Sequence, residues 1–136
     1  MNALLRMRLW TLGGLLAVVP FLWAPPSAAQ SGTQAPFPDT TLALVDTLRA
    51  QGDFREALSR TSNLRDKYGD NVELLWRMSL TRVDIAKTLD AKSARKQQYE
   101  QALELAETAL TVDASNAHAH LAKAVVEGRM ALDAGT

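Results

Sequence analysis

A pattern that returns after 45 residues constrains this fold more than any other feature of the sequence. Gly52-Asp53-Phe54-Arg55-Glu56-Ala57-Leu58 comes back, degraded, as Gln97-Gln98-Tyr99-Glu100-Gln101-Ala102-Leu103. Leu64 returns as Ala109, Gly69 as Ala114 and Asn71 as Asn116. Self-similarity at a fixed period marks repeat architectures, in which each unit buries its apolar face only against its neighbours. The expected fold is therefore all-α, with antiparallel helical hairpins stacked as a short solenoid. Such a stack offers an extended surface rather than an enclosed pocket.

Apolar spacing and turn residues place the helices. The first is expected over about 39–51, with Leu42, Leu44, Val45 and Leu48 on its apolar side and Gly52 ending it. Asp53 is placed to cap the second, with Glu56 reaching back three residues later as a capping box. Phe54, Ala57, Leu58, Thr61, Leu64 and Tyr68 form its face, and Gly69 stops it. A turn this short forces the two helices antiparallel. Asn71 then caps a third helix over about 72–89, which carries two apolar stripes. One runs through Val72, Leu75, Trp76, Ser79, Val83 and Ala86, the other through Leu74, Met78, Ile85 and Leu89. A helix apolar on two sides is packed on two sides, as a middle element in a stack must be.

Residues 90–97 are polar and read either as a loop or as an extension of the following helix, which runs to about Val112. Residues 113–115 form a turn, and Asn116 caps a last helix through Leu121, Ala124, Val125 and Gly128. The units fall at about 39–70 and 72–115, with a partial third at 116–136. Ala57 and Ala102 let paired helices approach closely, since an interhelical distance of about 8–10 Å depends on the side chains at the crossing. Phe54 and Tyr99 fill the wider space one turn earlier, and Leu58 and Leu103 complete the repeat packing.

The N-terminal residues read as an export signal. Arg6 and Arg8 give a positive start, Leu9 to Trp23 carries no charge, and Ser27-Ala28-Ala29 suits cleavage before Gln30. The rival reading is an uncleaved membrane anchor, but the run is short for a span of about 20 residues and contains Pro20. Residues 30–38 are rich in Ser, Gly, Gln and Pro and read as a disordered linker. Export implies a periplasmic or extracellular location, with inner-membrane anchoring as the alternative. The chain has no cysteine, so no disulfide or lipid-modified cysteine holds the domain. Without residues 1–29, 107 residues carry 13 Lys/Arg against 15 Asp/Glu. That balance argues against nucleic acid, whose phosphates demand a basic excess. Lys92, Arg95 and Lys96 form a local basic cluster that reads as a solvated helix start.

A small residue, an aromatic and an alanine spaced as Gly52, Phe54 and Ala57, followed by the Gly69-Asp70-Asn71 turn, resemble the tetratricopeptide repeat. That repeat's usual period is 34 residues. The longer second unit, with its polar insert around 90–97 and Ala114 where proline usually stands, points to one branch. Glu73-Leu74-Leu75-Trp76-Arg77-Met78-Ser79, Val83-Asp84-Ile85-Ala86, the insert, and Ala102-Leu103-Glu104-Leu105-Ala106-Glu107 resemble the regulator of microtubule dynamics family. Asn116-Ala117-His118-Ala119-His120 and Gly128-Arg129-Met130-Ala131 continue the likeness, which covers about 42–136. The resemblance implies a protein-binding scaffold, with microtubule association described for animal members. An exported protein would not meet tubulin, so that activity is not carried over. The family's members continue with further helical repeats, so this chain is expected to be short at its C-terminus, leaving its last helix without a partner.

No catalytic constellation stands out: the sequence has no cysteine nucleophile, no Gly-rich phosphate loop and no nucleophile elbow. No cofactor is expected. His118 and His120 lie two apart, about 200° around a helix, so they cannot easily grip one metal. Glu104 and Glu107 lie one turn apart on the outer face. Trp76 reads as core on its apolar stripe. The adjacent polar strip of Arg77, Thr81, Asp84 and Lys87 reads in two ways. With Trp76 it is a candidate groove for a peptide, since the first helix of each hairpin lines the concave side of such solenoids. Alternatively, Arg77 and Asp84 satisfy each other or neighbouring turns as a surface network. Arg77→Glu is then expected to spare stability and weaken partner capture. The leading function is an exported scaffold with no catalysis of its own and an unidentified protein or peptide partner. A second is self-association through an open C-terminal end at Val125 and Met130. A third is a membrane-anchored adaptor, if the leader is retained.

Overall fold

The computed structural model describes residues 39–135. The signal peptide and linker expected at 1–38 lie outside the described residues. Five helices follow in order: α1 (Asp39–Gln51), α2 (Phe54–Tyr68), α3 (Val72–Lys87), α4 (Lys92–Val112) and α5 (Ala117–Ala134). There is no strand among the described residues.

The turns follow from a few residues. Gly52 adopts φ 86°, and paired bonds from Gly52 N to Arg49 O (3.1 Å) and from Asp53 N to Leu48 O (2.9 Å) close α1 in a Schellman motif. The chain re-enters a helix at Phe54, so the hairpin turn is only Gly52-Asp53. Asp53 does not form the expected capping box. Its ψ of 53° lies outside the extended region that aims an N-cap side chain at the following amides, and its carboxylate caps nothing. Glu56 pairs with Arg60 instead, at 2.8 Å. Asn71 does cap α3, with Oδ1 accepting from Glu73 N at 2.8 Å. Asn116 does the same for α5, accepting from Ala119 N at 3.0 Å.

α3 ends at Lys87, two residues earlier than expected, because the Thr88 hydroxyl bonds back to Ile85 O (2.7 Å) as the chain turns. The polar insert resolves mainly into helix. α4 starts at Lys92 and runs 21 residues, and Arg95 ties it back to the turn by donating to the carbonyls of Leu89 (3.2 Å) and Asp90 (2.6 Å).

α3 is the middle element. Nine of its residues are buried, and α2, α4 and α5 all pack on it. Leu75, Trp76 and Met78 join Leu105, Ala106, Ala109, Ala119 and Ala122 in one apolar cluster. Val83 and Ala86 join Tyr99, Ala102 and Val126 in a second. Alanine dominates the α4 and α5 contributions, which lets the axes come close. Ser79 Oγ therefore reaches the backbone of α4 and donates to Ala102 O at 2.7 Å in the buried interface. Of the repeat-packing residues, Ala57 and Ala102 are fully buried and Tyr99 nearly so. Phe54 is half-buried, Leu58 packs against the first cluster and Leu103 against the second.

Candidate functional site

The strip on α3 that the sequence offers as a groove faces α1. Arg77 Nε donates to Asp46 Oδ1 and Oδ2 at 3.0 and 3.2 Å, and its Nη1 reaches Glu73 Oε2 at 2.7 Å. Two turns on, Asp84 takes Arg49 Nη2 on Oδ2 and Lys87 Nζ on Oδ1, both at 2.7 Å. Arg77 and Asp84 are thus not paired with each other. Each is paired with the opposite charge on α1, and together they stitch α1 to α3. Thr81 lies beneath this seam, fully buried, its hydroxyl donating to Arg77 O at 2.7 Å. What remains open is the outer edge: Asp46, Glu73 and Lys87 are each between about a third and a half exposed.

Trp76 sits at the other border of the strip and is core, at 8% exposed. Its ring is nonetheless held between polar groups. The Arg77 guanidinium carbon lies 4.1 Å from the ring centroid, and the His118 imidazole stacks at 4.8 Å with 21° between planes. Nε1 donates to Glu73 Oε2 at 3.1 Å, so the indole's one donor is satisfied. Glu73 therefore receives both Trp76 and Arg77. His118 is exposed on α5, and its stacking joins α5 to α3 at the rim of the core. Because Arg77 lies against Asp46 and Glu73, Arg77→Glu would bring three carboxylates together. It is not the purely superficial change the sequence suggested.

Perturbed acid–base behaviour lies elsewhere. The Arg82 guanidinium is pulled below its usual value by burial, opposed by attraction from Glu104. Asp113 is held below the ordinary carboxylate range by hydrogen bonds from the Ser115 hydroxyl (2.7 Å) and backbone N (3.0 Å). Lys123 is raised by its bond to Glu107 at 3.0 Å and by the charge of Glu107, with Glu127 adding less. Among the described residues, no three His, Asp or Glu side chains gather where they could hold a metal ion. His120 turns away from His118, with Nε2 2.9 Å from Ala114 O.

A long helix preceded by a polar insert and packed through alanines on a tryptophan-bearing middle helix matches one family model. That model, for regulator of microtubule dynamics protein 1-3, covers residues 41–136. The chain belongs to this family. No curated protein and no solved structure matches it.

For this member of the regulator of microtubule dynamics family, the sequence marks the polar strip on α3 but not the α1 and α5 residues that it pairs with. Asp46, Arg49 and His118 had no assigned role. Asp46 and Arg49, one turn apart on α1 with opposite signs, complement the signs of Arg77 and Asp84, and that was the available signal. Nothing local signals the His118 stacking, because Trp76 and His118 are far apart in the chain.

Proposed function

We propose that this chain is an exported, tetratricopeptide-like scaffold for protein interaction, with no catalysis of its own and a protein or peptide as its partner. One observation carries the reading. The first helices of successive hairpins, α1, α3 and α5, are locked to one another by ion pairs and by ring stacking. Their outward side chains are therefore held in fixed geometry before any partner arrives. Surfaces preorganised in this way lose less side-chain freedom on binding. Asp46, Glu73 and Lys87 supply charge and His118 one flat ring along that edge, and Leu121, one turn on from His118 in α5, is 55% exposed. Export rests on the leader-like residues 1–29 described above.

The test is site-specific photo-crosslinking in the cell envelope, with a photoreactive amino acid replacing His118 or, as control, Arg60 on the exposed face of α2. The scaffold reading expects a discrete crosslinked species from position 118 and little from position 60. Failure of every position on α1, α3 and α5 to crosslink would remove it. A second reading, self-association, is favoured by Leu132, which is 66% exposed near the end of α5. Val125 and Met130 are half-covered by the second core cluster, so they contribute less than the sequence suggested. Sedimentation at several concentrations separates the two, since a concentration-independent monomer rules out self-association.

A further inference from the structure

α2 and α4 lie on either side of α3 and leave a groove between them, floored by α3. Two recesses of about 430 and 210 Å³ make it up, and Arg82 lines both. Arg82 stands about 140° and 200° around the helix axis from Arg77 and Asp84, so this groove is separate from the α1 seam. Arg82 Nη1 donates to two neutral amides, Gln98 Oε1 at 3.0 Å and Gln101 Oε1 at 2.5 Å. Its Nε is buried with no hydrogen-bond partner among the described residues. No carboxylate hydrogen-bonds to it among the described residues; Glu104, which lines the second recess, attracts it without a hydrogen bond, and burial draws its pKa down. A half-buried guanidinium with spare donors is unfavourable unless an anion reaches it.

The surroundings define the anion's chemistry. Arg55 lines the larger recess with Arg82, exposed and with no ion pair among the described residues, and no carboxylate of the described residues lines that recess. Arg65, in the second recess, is already engaged by Asp70 at 2.6 Å. Leu58, Ile85 and Leu89 form an aliphatic floor beside Arg82. A bare phosphate would satisfy the arginines but leave that floor uncovered. A carboxylate matches the planar fork of a guanidinium, and an adjoining apolar side chain covers the aliphatic patch.

We propose that the α2–α4 groove binds an acidic peptide segment in which carboxylates flank an aliphatic or aromatic side chain. Arg82 and Arg55 take the acids, while Leu58, Ile85 and Leu89 take the apolar group. The proposal rests on the scaffold reading and gives it a partner chemistry and a second surface.

The experiment is selection of a random peptide library on the immobilised full chain, followed by affinity measurement of the recovered peptides on wild type, Arg82→Gln, Arg82→Lys and Arg55→Gln. Recovered sequences are expected to place Asp or Glu beside Leu, Ile or Phe. Arg82→Gln should weaken them about tenfold or more, the scale of a lost charge-assisted hydrogen bond. Arg82→Lys should fall between, since it keeps the charge and loses the fork. Arg55 is exposed, so Arg55→Gln leaves the fold intact and should still weaken binding, and affinity should fall as salt rises. Peptides that bind Arg82→Gln and Arg55→Gln as tightly as wild type would overturn the groove while leaving the scaffold reading in place. Recovery of no peptide would remove the groove, while the scaffold reading stands or falls on the photo-crosslinking. Arg82-dependent binding to phosphatidylglycerol vesicles, without acidic peptides, would assign the groove to a membrane and overturn the proposal.

Discussion

Trp76 concentrates the most energy in one side chain. It is buried among residues of three helices and bracketed by Arg77 and His118. Truncation leaves a cavity bounded by small alanines that cannot collapse into it, so Trp76→Ala should destabilise by about 3–5 kcal/mol in urea unfolding. An unchanged midpoint would place the ring outside the core. Asp113 offers a check on electrostatics. Its folded pKa lies below the unfolded one, so its small contribution is present above the unfolded value and is lost as pH falls through the folded value. Ser115→Ala removes the largest cause, and an NMR titration should show the Asp113 carboxylate moving up toward its ordinary range. A titration curve that does not move would show that the hydroxyl is not the cause.

At the level of elements, two capping positions that look alike in sequence should behave differently. Asn71→Ala removes a bonded cap from α3 and should cost about 0.5–2 kcal/mol. Asp53→Ala removes nothing bonded and should be nearly neutral. Equal losses at both sites would contradict the turn geometry described here. A double-mutant cycle on Arg49 and Asp84 should give a coupling of about 1 kcal/mol, because the pair is mostly shielded and geometrically close.

The starts and stops at Gly52, Gly69, Asn71 and Asn116 were legible because each acts within a few residues of itself. Asp53 misled because the Schellman closure of α1 fixes the backbone on which its cap would depend. The insert stayed ambiguous because its polarity suits loop and exposed helix equally; what resolves it is Arg95 reaching back to the preceding turn. The strip on α3 was legible as polar, yet its partners lie 31 and 35 residues away, beyond anything helical periodicity reports. Arg82 went unnoticed for the same reason. One charged residue on a mixed helix carries no sign that α2 and α4 will part above it.

The arrangement of the described helices turns on α3. It carries residues of both core clusters, receives the alanine-rich faces of α4 and α5, and is tied to α1 by charge. A helix in that position cannot open without uncovering its neighbours, whereas the first turn of α1 and the end of α5 can fray alone. Native-state hydrogen exchange followed residue by residue tests this account most directly. The amides of α3 and the facing turns of α4 should exchange slowest, and Trp76→Ala should speed exchange in α3, α4 and α5 together. Exchange in α3 as fast as in α1, or an effect of Trp76→Ala confined to α3, would contradict it.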